Sequence, residues 1–274
     1  MRFFDSSRPL VFAHRGGCAI GPENTVAAFD AGLAAGADGL ELDVHLSADG
    51  VVVVHHDRTL ERTTNDSGPV SLRTAAELAR IDAAYHFCVD GAFPLRGQDV
   101  GVPTLADVLQ RYRDTRVVIE MKMDVPELGE SVVRTVRRED AVERVCVAGF
   151  GARAVEAARL VAPEIASSAH FEEVRLALYR SWVCWPVRRV RYQGYQIPEI
   201  AGRLRVVSPR FVRNAHTAGL KVQVWTVDTE VDMRRLLGWG ADGLISNCPH
   251  IAVTIRDEWV QSVNARDAHA ANPA

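Results

Sequence analysis

The sequence lacks paired cysteines. Cys18, Cys88, Cys146, Cys184 and Cys248 are an odd set with no CxxC pair. That argues against a disulfide framework or a zinc cluster and points to a reducing, cytoplasmic compartment. Long apolar runs are also missing; none approaches the ~18 residues a membrane span needs. The first seventeen residues have neither the apolar core nor the small-residue cleavage site of a signal peptide. Charge of one sign is scarce as well: 32 Lys and Arg against 35 Asp and Glu leave a net −3 with no basic tract. No strong field favours nucleic acid or an anionic membrane.

What the 274 residues do contain is alternation. Short β-rich runs fall at Leu10–His14, Gly39–His45, Val117–Lys122, Val145–Phe150, Ile165–Ala169, Tyr195–Glu199, Val222–Val227 and Gly243–Ser246. Helical patterns lie between most of them. In Asn24–Ala35 the apolar Val26, Phe29 and Leu33 recur at helical spacing and Gly36 can end the helix. Segments 151–161, 209–218 and 229–238 read the same way. Eight strands separated by helices predict parallel βα units closing into a (β/α)8 barrel, which needs about 250 residues. Gly36-Ala37-Asp38-Gly39-Leu40 recurs as Gly240-Ala241-Asp242-Gly243-Leu244, each copy between a helix and a strand. One stretch breaks the alternation. Val51–His56 follows the second strand across Asp49-Gly50, a hairpin signal. Residues 57–103, with several Gly and Pro, read as an insertion capping one side of the barrel mouth. One catalytic domain over 1–262 and a frayed tail over 263–274 complete the expected organisation.

Chemistry in such barrels sits at the C-terminal strand ends. Period two puts Glu41, Asp43 and His45 on one face of the second strand, and Glu120 and Lys122 share a face of the third. Carboxylates aimed into a barrel repel one another and lose hydration. A hard cation such as Ca²⁺ or Mg²⁺ bound to Glu41, Asp43 and Glu120 relieves this, as does pairing with Arg or Lys. His14 ends the first strand, beside Arg15. With a two-residue turn at Asp49-Gly50, position 43 faces 56, so His56 joins the carboxylate face and His55 turns away. His45, His86, His170, His216 and His250 read as structural or surface residues. Two imidazoles, a divalent cation, Arg15 and Lys122 suit phosphodiester cleavage: one His takes the nucleophile's proton, the other gives one to the leaving alkoxide, and the cations neutralise the phosphate.

His14-Arg15-Gly16, Pro22-Glu23-Asn24-Thr25, Glu41-Leu42-Asp43-Val44, His56-Asp57 with Arg62-Thr63-Thr64, Pro103-Thr104-Leu105, Ile119-Glu120-Met121-Lys122 and Val224-Trp225-Thr226-Val227 occur in that order. Together they resemble the glycerophosphodiester phosphodiesterase family. The resemblance implies a TIM barrel of the phospholipase-C-like type that releases sn-glycerol 3-phosphate and an alcohol, with roles in lipid and glycerol metabolism. It implies His14 and His56 as the acid/base pair and Glu41, Asp43 and Glu120 as ligands of one divalent cation: Ca²⁺, Mg²⁺ or Mn²⁺. It also implies Arg15 and Lys122 as phosphate contacts and Trp225 as a wall for the glycerol. Glu23 or Asn24 is expected to organise the first helix N-terminus. The sequence departs from the family's pattern at Asn247, where an acidic residue is common, and at Ala148-Gly149, where a Ser usually precedes the Phe.

The alternatives are a lysophospholipase D or sphingomyelinase-D-like phosphodiesterase on the same barrel, or a non-catalytic binding barrel. The expected partner is a small-molecule glycerophosphodiester, not nucleic acid. Residues 180–195, with four Arg, two Trp and two Tyr, are a candidate wall for the leaving alcohol and leave transient membrane contact open.

Overall fold

The computed structural model describes residues 3–271, with side chains through residue 266. The first half runs β1 (Leu10–His14), α1 (Val26–Ala34), β2 (Gly39–Leu46), β3 (Val52–Val54), α2 (Ala75–Leu78), α3 (Leu105–Arg111), β4 (Arg116–Met121), α4 (Pro126–Arg138) and β5 (Val145–Ala148). Then follow α5 (Ala152–Val161), β6 (Ala166–Ser167), α6 (Phe171–Trp182), β7 (Gly194–Pro198), β8 (Ile200–Ala201), β9 (Leu204–Arg205) and α7 (Pro209–Thr217). The chain ends with β10 (Lys221–Trp225), α8 (Glu230–Gly238), β11 (Gly243–Ser246) and α9 (Pro249–Ala271).

Eight strands pair in parallel in the order β6-β5-β4-β2-β1-β11-β10-β7. A bridge between Ser168 and Gly194 brings the two ends together and nearly closes the barrel. The eight predicted strands are these eight. Three are shorter than expected: β5 stops at Ala148, β6 is only Ala166–Ser167 and β10 stops at Trp225.

Alternation along the strands divides the side chains. Leu40, Leu42 and Val44 of β2 face outward into the main helix-facing core with Phe29, Leu105 and Ile119. Each is fully buried and contributes roughly 1.5–3 kcal/mol through lost apolar exposure. Inside the barrel, Leu10, Phe12, Val118, Cys146 and Ile245 form an apolar layer closed from below by Phe3, which stacks on Phe12 at 5.6 Å. The next residues along the same inward faces are His14 of β1, Glu41 and Asp43 of β2 and Glu120 of β4. The barrel is therefore packed shut at one end and charged at the other.

The repeated Gly-Ala-Asp-Gly-Leu does one job twice. Gly36 and Gly240 adopt φ of +90° and +91° where their helices end. Asp38 accepts from the Val11 amide at 2.8 Å, and Asp242 from the Val222 amide at 2.8 Å. Each Asp thus ties an incoming strand to its neighbour.

The hairpin register differs from the prediction. His45 pairs with Val53 and Leu46 with Val52, because the turn holds one more residue: Ser47 bonds Val51 and the Ser47 hydroxyl reaches Asp49. His55, not His56, lies opposite Asp43, its amide donating to the Asp43 carbonyl at 2.9 Å. The strand ends at Val54, however, so alternation no longer governs His56, and the departing chain turns it inward. Residues 57–103 carry a small core of Leu60, Val70, Leu78 and Val102 against Val53. The segment expected to fray continues instead as α9 through Ala271, favoured by its alanines; residues 272–274 lie outside the described residues.

One glycine sets how closely α1 approaches β1. A Cβ at Gly32 would lie 2.4 Å from the Gly16 carbonyl and 2.7 Å from the Ala13 Cβ. Neither can yield without moving the turn that carries Arg15. Gly32→Ala is expected to cost about 1–3 kcal/mol in urea unfolding and to lower activity. A variant as stable as wild type would show that the turn adapts.

Candidate active site

Glu41, Asp43 and Glu120 come together at the C-terminal end of β2 and β4, with one carboxylate oxygen of each within 4.8 Å of the others. Glu41 and Asp43 are only 3% and 1% exposed. Burial, followed by the charges of Asp43 and Glu120, holds Glu41 well above the usual carboxylate range. Burial and Asp43 likewise raise Glu120. Asp43 goes the other way: burial would raise it, but Lys122, Arg15 and His56 outweigh that and keep it ionised.

Neutralisation comes from two side chains. Lys122 Nζ lies 2.8 Å from Glu120 and 3.1 Å from Asp43. Arg15 lies 3.2 Å from Asp43 and 3.1 Å from Glu23. Its left-handed backbone, φ +52°, also turns its amide onto Glu41 at 3.0 Å. Asn24, φ +59°, donates its side-chain amide to Asp43 at 2.8 Å and accepts the Asp43 amide. The helix cap is Thr25, not Glu23 or Asn24 as expected. Asn24 instead orients a carboxylate, and Glu23 bridges Arg15 and Arg62.

Three acids against two bases leave a negative excess. Asp43 Oδ1 is buried without a hydrogen bond despite the nearby ammonium. An orphaned carboxylate oxygen between two other carboxylates fits a hard cation, so the residues present can hold a divalent metal ion.

The imidazoles flank this cluster and line the same cavity. His14 Nε2 is 3.8 Å from Glu41, and its Nδ1 is 2.6 Å from Asn247 Oδ1. Asn247 donates through Nδ2 to Asp228 at 2.7 Å. A carboxylate can only accept, so the amide must present its oxygen to His14, and His14 Nδ1 must carry the proton. Nε2 is left with its lone pair toward the cavity. Burial lowers the His14 pKa, favouring the neutral ring. His56 has a different partner, Asp57, at 2.6 Å from Nδ1. Arg62 pairs with Asp57, which sits at about 2 because Arg62 and His56 outweigh its burial. His45 and His55 are structural: His45 holds the His56 carbonyl at 3.0 Å, and His55 reaches the Thr59 carbonyl. Burial pushes the Cys18 thiol up to about 11, so it is no nucleophile near neutrality.

The cavity, about 370 Å³, continues past the charged pole along Ala148, Phe150, Phe171, Ile197, Ala201 and Trp225. Trp225 meets Phe150 edge to face at 5.8 Å. Residues 180–195, expected as a possible wall for the alcohol, do not line it. They begin at the far end of α6, whose first turn is at the mouth. In sequence, Asp57, Arg62 and Asn247 are visible within motifs but carry no assigned role, and Asp228 and the β8–β9 hairpin are not foreseen.

A second acidic group, Glu156, His170 and Glu173, lies outside the barrel mouth. Arg159 pairs with both carboxylates at 2.7 and 2.9 Å and neutralises them.

A nearly closed parallel barrel with an ionisable cluster at its strand C-termini is a barrel enzyme. Residues 14–251 match the Glycerophosphoryl diester phosphodiesterase family. The chain is 31% identical over 253 residues to a glycerophosphodiester phosphodiesterase of Caldanaerobacter subterraneus subsp. tengcongensis, covering 90% of this chain and 98% of that one. An Oleispira antarctica phosphodiesterase solved with its product sn-glycerol-3-phosphate superposes with TM-score 0.72 at 26% identity, over 91% of this chain and 97% of that one. The glycerophosphoryl diester phosphodiesterase domain of a Mycobacterium tuberculosis protein shares the fold with TM-score 0.79 at 24% identity, over 90% and 98%. The chain belongs to the glycerophosphoryl diester phosphodiesterase family and is an enzyme of that class.

The carboxylate repulsion makes a thermodynamic prediction. A raised Glu41 pKa in the folded state means the ionised form opposes folding. Its contribution is fully favourable below the unfolded value of 4.5 and is lost as pH rises through the folded one. In EDTA at pH 7.5, Glu41→Gln should melt above wild type, by about 2–4 °C for each kcal/mol relieved. The difference should vanish below about pH 4. A lower melting temperature at pH 7.5 would show that Glu41 is compensated without metal.

Proposed function

We propose that the chain hydrolyses glycerophosphodiesters to sn-glycerol 3-phosphate and an alcohol, with His14 and His56 as acid/base pair around one divalent cation on Glu41, Asp43 and Glu120. The observation that carries this reading is the convergence of three buried carboxylates, two differently partnered imidazoles, Arg15 and Lys122 on one cavity. The all-oxygen donor set suits Ca²⁺ or Mg²⁺, with Mn²⁺ also compatible. When bound, the cation polarises the phosphoryl oxygens and offsets charge in the transition state.

The chain's own residues do the rest. Arg15 and Lys122, at the edge of the carboxylate cluster, draw the phosphate in and neutralise its developing charge. His14 Nε2, unprotonated through the Asn247–Asp228 relay, accepts the proton of the attacking hydroxyl or water. His56, with Asp57 holding Nδ1, delivers a proton to the leaving oxygen. Trp225 forms a flat wall for the glycerol carbons. The cysteine pattern supports a cytoplasmic enzyme, and the product supports a role in glycerol and lipid metabolism. The apolar far half of the cavity favours one second reading, lysophospholipase D action on a chain-bearing diester. The other two alternatives have no such observation behind them.

The test is release of glycerol 3-phosphate from glycerophosphocholine. EDTA should abolish it, and Ca²⁺, Mg²⁺ or Mn²⁺ should restore it; full activity in metal-free protein would sink the metal assignment. Measured as kcat, His14→Ala and His56→Ala should each fall by about 10²–10⁴, whereas His55→Ala should fall far less. Choline release from lysophosphatidylcholine with no activity on glycerophosphocholine would favour the second reading.

Asn247→Leu should lower kcat by about 10–100-fold, as loss of an orienting partner does. Asn247→Asp, which can still accept from Nδ1, should retain more. Equal activity of both with wild type would remove the relay from the mechanism.

A further inference from the structure

The segment that does not reach the active site has an unexplained surface. α6 buries Ala177, Leu178 and Ser181 against the barrel. Its outer side exposes Leu176, Tyr179 and Trp182 by about half, and the turn that follows exposes Val183 by 67% and Trp185 by 62%. Spacings of three residues put the helical members on one side, and the Tyr179 and Trp182 rings lie 5.2 Å apart. Three aromatic side chains of about 200 Å² each, half exposed, present roughly 300 Å². That matches the largest apolar patch of a typical monomer.

The acids of α6, Glu172 and Glu173, lie in its first turn and pair with Arg175 and Arg159; beyond them the charge along the stripe has one sign. Between Val174 and Pro198 there are five Arg and no acidic residue. Arg180, Arg188 and Arg189 make no ion pair among the described residues. Arg180 lies over the Trp185 ring at 5.8 Å, and Arg210 of α7 holds the Trp182 carbonyl at 3.1 Å. On a chain of net charge −3, free guanidinium groups next to exposed indoles are a local exception. The Arg call for an anionic partner, and the exposed rings for one that also offers an apolar layer. The bilayer interface satisfies both: Trp and Tyr settle at headgroup depth, and each Arg near an anionic leaflet adds attraction.

We propose that the outer side of α6 and the following turn, from Leu176 to Arg189, is a docking surface for an anionic lipid bilayer. The contact runs along the barrel flank and leaves the cavity open, since Phe171 at the start of α6 lines the cavity while Trp185 does not. It is peripheral: no helix among the described residues is long and apolar enough to cross a membrane.

Sedimentation with vesicles tests this. The purified chain should pellet with vesicles rich in phosphatidylglycerol, hardly at all with pure phosphatidylcholine, and less as salt is raised. Trp182→Ser with Trp185→Ser, and separately Arg188→Glu with Arg189→Glu, should each lower the apparent affinity by about tenfold or more. Far-UV circular dichroism and melting temperature should stay unchanged, and if the Trp variant fails to fold, the Arg variant decides. Absence of binding to phosphatidylglycerol, or binding indifferent to the Arg substitutions, would overturn the proposal. So would a wild-type dimer by light scattering that the Trp variant makes monomeric, because the stripe would then be covered by a second copy.

Discussion

Three carboxylates share one end of a barrel whose other end is sealed by Phe3 and Phe12. Their mutual repulsion, in a place with little water, is the constraint around which the site is arranged. Arg15 and Lys122 enter the cluster because ionised Asp43 cannot stay buried unpaired. The Arg15 backbone takes a left-handed turn that brings both its amide and its guanidinium onto the acids. Asn24, just before the Thr25 cap of α1, grips Asp43, so the first helix is aligned by the same carboxylate that its neighbours neutralise. The cluster still holds three carboxyl groups against two basic side chains. That excess makes it able to hold a cation.

The same constraint separates the two imidazoles. His14 leans on an amide, His56 on a carboxylate. Asn247 is fixed by Asp228 and therefore shows His14 only an acceptor. Placing one more carboxylate beside His14 would add to an already acidic pole; the amide supplies the same orientation without the charge. On the other side, Arg62 offsets both Asp57 and Glu23. The insertion after the second strand thus contributes charge balance at the rim as well as a small core of its own.

Legibility followed the range of the physics. β1 and β11 were readable to the residue, and Glu41, Asp43 and Glu120 were predicted to share an interior, because strand alternation is local. The Gly-Ala-Asp-Gly-Leu repeat marked two helix-to-strand turns because a left-handed glycine is a local requirement. The hairpin argument picked His56 over His55, but on a register that the structure shifts by one residue. His56 faces the cavity because the strand ends at Val54, and strand ends are set by where pairing stops.

What the sequence by itself determined was the order of elements, the inward set of acids and the place of His14 at the end of β1, since each follows from spacing within a few residues. Tertiary structure decided the partners. Asn247 meets His14 across 233 residues, and Arg62 meets Glu23 across 39. It also decided that the aromatic and basic stretch 180–195 sits away from the cavity while Phe150, Phe171 and the Ala201 hairpin line it. A helix that starts at the mouth carries its last turn to the opposite end of the barrel, and only the rise of that helix, not its composition, fixes which residues meet the substrate.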